Sequence, residues 1–142
     1  MVGLQTIIRR RISFVQPLGV VWYNYIVAHD KRMLTLAAKV AIKRGHGNRS
    51  FLLGAVGIRN DGVIVMSRNI SATDYAPRHH AEARLSRKLT PNSIVWVARV
   101  ARRDGAWAMA RPCQGCQNRM KMVGVEKVVY TIAPDEWGVL EL

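Results

Sequence analysis

The chain reads as an α/β domain, a mixed sheet of four or five strands flanked by helices. Three observations predict this. Leu34 to Arg44 (LTLAAKVAIKR) is apolar at Leu34, Ala37, Ala38, Ala41 and Ile42, a helical period with a basic back face. FLLGAVGI and VIVM flank Arg59-Asn60-Asp61-Gly62, and Asp-Gly between two apolar runs is a strong hairpin signal. Beyond the hairpin, helical and strand patterns alternate, and strand–helix–strand units build a sheet with helices packed over it. The hairpin makes that sheet mixed rather than purely parallel.

The elements follow in order. Met33 opens the first helix, and the glycines of GHGN, residues 45–48, stop it. Phe51 to Ile58 and Val63 to Met66 are the hairpin strands, and Ser71 to Arg78 is a loop. His80 to Leu89 (HAEARLSRKL) is a second helix whose buried stripe is Ala81, Leu85 and Leu89. Thr90-Pro91-Asn92 ends it. Ile94 to Ala101 is apolar on both faces at first, as a central strand should be. Arg102 to Arg111 is a loop. Pro112 starts a third helix that reaches Val123 and stops at Gly124. Lys127 to Ile132 is a strand, and Asp135 to Leu142 is either a short final strand or a loose tail.

Ile12 to Ala28 is an apolar stretch of 17 residues behind Arg9, Arg10 and Arg11. Gln16, Pro17 and Asn24 interrupt it, and a bilayer span wants about 20 cleaner residues. The expectation is no membrane insertion. The segment is an additional strand on the core or an upstream extension, so residues 1–32 are an N-terminal extension and 33–142 the functional domain.

The 142 residues carry 22 Lys+Arg against 9 Asp+Glu, a net charge of +13, which favours polyanionic partners, nucleotides or nucleic acid first. The alternative is that the cations simply keep a small protein soluble. With only two cysteines, three apart, no disulfide framework is implied. In a cytoplasmic, reducing compartment such a pair is a metal or redox site.

Those cysteines sit in RPCQGCQNRM, as Pro112-Cys113-Gln114-Gly115-Cys116. Thirty residues upstream, His80-Ala81-Glu82 opens a helix. Cys113 and Cys116, at i and i+3, fall on one helical face and can share one metal. A helix N-terminus favours thiolates, the form that ligates zinc. With His80 as third ligand, a fourth position stays open for water, the layout of a catalytic rather than a structural zinc site. One Zn²⁺ per chain is the expected cofactor. Glu82 at i+2 turns about 200° from His80 around a helix, so its reach to that water is a question for geometry. A thioredoxin-like redox pair is the rival reading of an isolated C-x-x-C.

The H-x-E…P-C-x-x-C pattern resembles the cytidine and deoxycytidylate deaminase superfamily, and the element order from about Leu34 to Ile132 resembles it too. The resemblance implies a three-layer cytidine deaminase-like fold. It implies that hydroxide generated at zinc attacks C4 of cytosine while Glu82 moves protons from water to N3 and to the departing amine. It also implies substrate-binding roles: Asn69 toward the sugar, the backbone N–H of Ala81 toward the base, and Ala55 with Val56 on the strand that floors the pocket. A turn asparagine and residues small for packing are the plainer alternatives.

The expected activity is hydrolytic conversion of a cytosine nucleoside or nucleotide to the uracil form. The alternative is deamination of cytosine, or adenine, in single-stranded DNA or RNA, and a third reading is a basic nucleic-acid-binding protein with a structural zinc. Only 26 residues follow Cys116, fewer than relatives that act on a strand use. Arg78, Arg84, Arg87, Lys88, Arg102, Arg103, Arg111 and Arg119 argue the other way, with Tyr75, Trp96 and Trp107 as candidate stacking surfaces. Trp96 on a central strand has core as its alternative. Small relatives form oligomers, so a homo-oligomer is expected. His79 reads as a loop residue, and His29 and His46 as solvent-facing.

Overall fold

The computed structural model describes residues 6–10, 19–43, 45, 47, 49, 51–70 and 80–142, with side chains from residue 25 onward. The elements are β1 (Thr6–Arg10), α1 (Gly19–Ile42), β2 (Leu52–Ile58), β3 (Ile64–Arg68), α2 (Ala81–Ser86), β4 (Ile94–Val100), β5 (Trp107–Ala108), α3 (Gln114–Val123), β6 (Lys127–Ala133) and β7 (Glu136–Glu141). The strands form one sheet in the order β1-β7-β6-β4-β2-β3, with β5 paired to β4. Among the described strands, only β4 and β6 run parallel, joined across α3; the other pairs are antiparallel. Among the described residues, no helix is long and apolar enough to cross a membrane.

Strand alternation sorts the core into two layers around the sheet. On β4, Trp96 and Ala98 face α1, where they meet Val27, Leu34, Ala37, Val56, Val129 and Trp137. Val95 and Val97 face the other way, toward Ala81, Leu85, Cys116 and Met120 of α2 and α3, together with Leu53, Ala55 and Tyr130. Both faces of β4 are covered, which is why the sequence there is an unbroken apolar run.

The observed mixed sheet, with one helix on one face and two on the other, is the expected architecture with more strands. The additional strands have physical reasons. β5 is two residues long and pairs with Arg99 and Val100, too short to leave a periodic pattern. β1 borders β7, so its strand character comes from an available edge. Asp135 to Leu142 is resolved in favour of a strand: Asp135, at φ 57, makes the turn and β7 folds back along β6.

The first helix begins at Gly19 rather than Met33. Val27, Asp30, Met33, Leu34, Ala37, Val40 and Ala41 form one buried stripe at helical spacing. Asp30 lies within it, and the Trp96 indole N–H donates to its carboxylate at 3.0 Å. A charged residue therefore occupies a core position, and the sequence pattern breaks there although the helix does not. The boundary between residues 32 and 33 falls inside this helix. Trp96, buried and hydrogen-bonded, is core and not a stacking surface. His29 packs edge-on against it at 5.6 Å and is half-buried, so one side of its ring is a packing surface.

The second helix ends three residues early. Lys88 and Leu89 donate to Leu85 and Ser86 carbonyls in tighter turns, and Leu89 still reaches the core. Gly124, at φ 94, closes α3 as the sequence predicts. The 71–79 segment, with Tyr75, Arg78 and His79, lies outside the described residues, as does His46.

α1 crosses β2 at Gly54. A Cβ there would overlap the Ala37 carbonyl oxygen and stand 2.7 Å from the Ala41 nitrogen. Both are backbone atoms and cannot rotate away. Gly54→Ala is expected to destabilise the fold by about 3 kcal/mol or more, read as a lower urea midpoint with an unchanged slope.

Candidate metal and catalytic site

Two helix starts meet on the α2–α3 face of the sheet. His80 is the residue before α2, with extended backbone (φ −71, ψ 152). Cys113 holds the same position before α3 (φ −65, ψ 164), and Cys116 is the third residue of that helix. Their carbonyls accept the first helical bonds, Arg84 N–H to His80 and Gln117 N–H to Cys113. The Gln117 side chain donates back to the Pro112 carbonyl at 2.9 Å, which holds the turn leading into Cys113. α3 has ten residues and presents free amides at its start. α2 has only six, so it offers local amides but little axial dipole.

The imidazole Nδ1 of His80 lies 3.7 Å from Cys113 Sγ and 3.4 Å from Cys116 Sγ. All three donor atoms fall within 4.8 Å of one another. A tetrahedral ion with Zn–S near 2.3 Å and Zn–N near 2.05 Å needs N···S separations of about 3.6 Å. One nitrogen and two sulfurs are the donor set zinc selects. The residues present therefore fit one zinc ion.

Glu82 reaches this cluster. Its Oε2 accepts from Cys116 Sγ at 3.7 Å, and the side chain is 2% exposed. The expected 200° offset does not separate the two residues, because His80 precedes the helix in extended conformation and does not follow helical rotation. Burial pushes the Glu82 carboxyl up to about 7, against smaller opposing effects from its own backbone N–H and from Cys116. Burial likewise raises the Cys116 thiol, and the neighbouring Glu82 and Cys113 raise it further. A divalent cation between these groups supplies the counter-charge that a buried thiolate requires.

The cluster opens into a cavity of about 150 Å³ whose walls include Phe51, Leu53, His80, Glu82, Arg99, Met109, Arg111 and Cys113. The Phe51 ring stands edge-on to His80 at 6.3 Å, and the Arg99 guanidinium lies over Phe51 at 5.6 Å. Arg111 lies over Tyr130 and donates to its hydroxyl at 3.3 Å. Sequence reasoning noted Arg111 only as a charge beside the cysteines and missed Arg99 and Phe51. Arg99 shares a face with Val95 and Val97, so the strand alternation was the available signal.

None of the other predicted positions lines this cavity. Ala81 is the first residue of α2 and fully buried; at that position its N–H has no intrahelical acceptor. Ala55 is buried two residues beyond Leu53 on the same face of β2, with Leu53 and Phe51 forming that side of the cavity wall. Asn69 is buried, and its amide is mostly engaged. Nδ2 donates to the Phe51 carbonyl at 2.8 Å, and Oδ1 accepts from Leu53 N–H and Arg49, both at 3.0 Å. One amide N–H remains of its two donors and two acceptor sites. Asn69→Ala is expected to cost about 2–4 kcal/mol, because it strips partners from a buried guanidinium and from β2. A thermal melt beside a KM measurement separates this from a sugar contact, which would raise KM beyond what unfolding explains.

The model of the cytidine and deoxycytidylate deaminase zinc-binding region matches residues 27–132, well over half of the chain. The chain belongs to the cytidine and deoxycytidylate deaminase family. Membership places it among zinc-dependent hydrolytic deaminases of cytosine compounds, and the matched region spans His80, Glu82, Cys113 and Cys116. The fold is similar to the crystal structure of a point mutant of cytidine deaminase from Mycobacterium tuberculosis, at TM-score 0.50 and 18% identity over 74% of this chain and 88% of that one. A search of curated protein sequences returns no match.

Proposed function

We propose that this deaminase hydrolyses the amino group of a cytosine nucleoside or nucleotide, with His80, Cys113 and Cys116 holding the zinc ion and Glu82 as proton carrier. The observation that carries the reading is the Glu82 carboxylate, buried beside the three-donor cluster at the wall of a cavity. Zinc bound there would supply Lewis acidity that lowers the pKa of a water molecule toward about 7. Glu82 would take one proton of the attacking water and deliver it to N3 of the ring, then carry that water's second proton to the amino nitrogen, which leaves as ammonia. Water oxygen becomes O4 of the uracil product, so the atoms balance without a further reactant. The Ala81 N–H, the remaining Asn69 N–H and the β2 wall around Ala55 position base and sugar. The Phe51 ring excludes water beside His80.

Arg99 and Arg111 favour a nucleotide over a nucleoside. Both residues line the cavity, and Glu82 is the one carboxylate among its described lining residues. A substrate phosphate supplies the charge these two groups match.

The test is an activity panel on zinc-loaded protein: cytidine, deoxycytidine, their monophosphates, adenosine and single-stranded oligonucleotides, with products separated by mass. Turnover of a cytosine monophosphate that weakens about 10-fold or more in kcat/KM in Arg111→Gln supports the reading. A zinc-loaded protein inactive on every cytosine compound removes it.

A further inference from the structure

A second cavity, of about 330 Å³, lies on another part of the surface, between the end of α1, β3 and α2. Lys43, Arg68, Arg84 and Lys88 line it together with the apolar side chains of Val40, Met66 and Ile70. It shares no lining residue with the zinc-side cavity. The geometry points to this groove as a docking site for consecutive phosphates of a single-stranded nucleic acid.

Three of the four cations are held in place by backbone. Arg84 donates to the Arg68 carbonyl at 2.7 Å, Lys88 to the Met66 carbonyl at 2.7 Å, and Arg68 to the Lys43 carbonyl at 3.1 Å. The first two bonds cap β3 and the third caps the end of α1, and each bonded head keeps further N–H directions for an anion. Two cations elsewhere do have acids: Arg59 pairs with Asp61 and Lys31 with Asp135. Among the described residues, no carboxylate pairs with the groove cations. They also feel one another: the Arg84 pKa is lowered by burial first, then by Arg68 and Arg87. Five cations, counting exposed Arg87, exceed the two charges of a nucleoside monophosphate and suit several phosphodiesters. Exposed Met66 and Ile70 offer apolar contact to sugars and bases that a duplex would hide.

Choosing nucleic acid over another polyanion rests on the deaminase reading: Arg68 precedes Asn69, and Arg84 follows Glu82 by two residues. The binding test does not rest on it. A labelled all-thymidine strand of about 12 nucleotides contains no cytosine and needs no turnover. Binding is followed by anisotropy across a salt series for the zinc-loaded protein. Arg84→Gln with Lys88→Gln is expected to weaken binding about tenfold at low salt and to flatten the log–log salt slope by about 0.7 per cation removed. Lys43→Gln with Arg87→Gln, which leaves the β3 caps alone, is expected to do the same and serves if the first pair unfolds. Arg103→Gln with Arg119→Gln removes two exposed charges elsewhere and should change the slope far less. An equal loss in that control means undirected attraction to a basic protein and overturns the proposal. So does competition by deoxycytidine monophosphate, inorganic phosphate or polyglutamate as strong, per charge, as by unlabelled strand.

Discussion

Glu82→Gln is expected to lower kcat by about 10²–10⁴-fold while one zinc per chain and the thermal midpoint are retained. The amide has the shape of the carboxylate and can accept the Cys116 contact, so packing beside the cluster survives. It cannot take a proton from water or return one to the ring and the leaving amine. Both transfers fail together, which places the loss in kcat rather than in KM. The control is metal analysis of the same sample. Zinc retained with activity lost identifies Glu82 as the proton carrier and separates an enzyme from a structural zinc protein. Zinc retained with activity unchanged would remove Glu82 from the chemistry.

Cys116→Ala is expected to abolish stoichiometric zinc and to lower the melting temperature on the order of 10 °C. Cys116 is fully buried inside α3 and is the donor nearer to His80. Its loss leaves one nitrogen and one exposed sulfur, Cys113, which cannot enclose the ion. A metal bound at about 1,000 times its Kd contributes roughly 4 kcal/mol to the folded state, and that contribution disappears with the ligand. A chelator should lower the melting temperature of the wild-type protein by a similar amount and leave the variant unmoved. If the variant still melts in a chelator-dependent way, the ion is held elsewhere.

The three-donor cluster was legible in the sequence because each donor lies at or near a helix start, and proline, helix period and residue spacing mark helix starts locally. The hairpin was legible for the same reason: Asp61 accepts from Val63 N–H and pairs with Arg59, all within five residues. The start of α1 was not legible. Asp30 sits in the buried stripe and is balanced by Trp96, 66 residues away, so the local pattern carries a charge where the fold carries core. β1 and β5 escaped for a related reason, since each is a strand only because a neighbour's edge is open to it.

The walls of the site were the least legible part. Arg99 comes from β4, Phe51 from the residue before β2 and Arg111 from a loop, and which of them faces the donor cluster depends on the antiparallel register of β2 against β4.

The sequence by itself determined which side chains can grip a metal and which acid accompanies them, because those choices are written in short-range spacing and the chemistry of the donors. Tertiary structure alone decided that Glu82 comes within reach of Cys116 and that Trp96 is core. It also separated the cations into two at the cavity mouth and a group along β3. Such choices depend on contacts between residues far apart in the chain, and no local period encodes them.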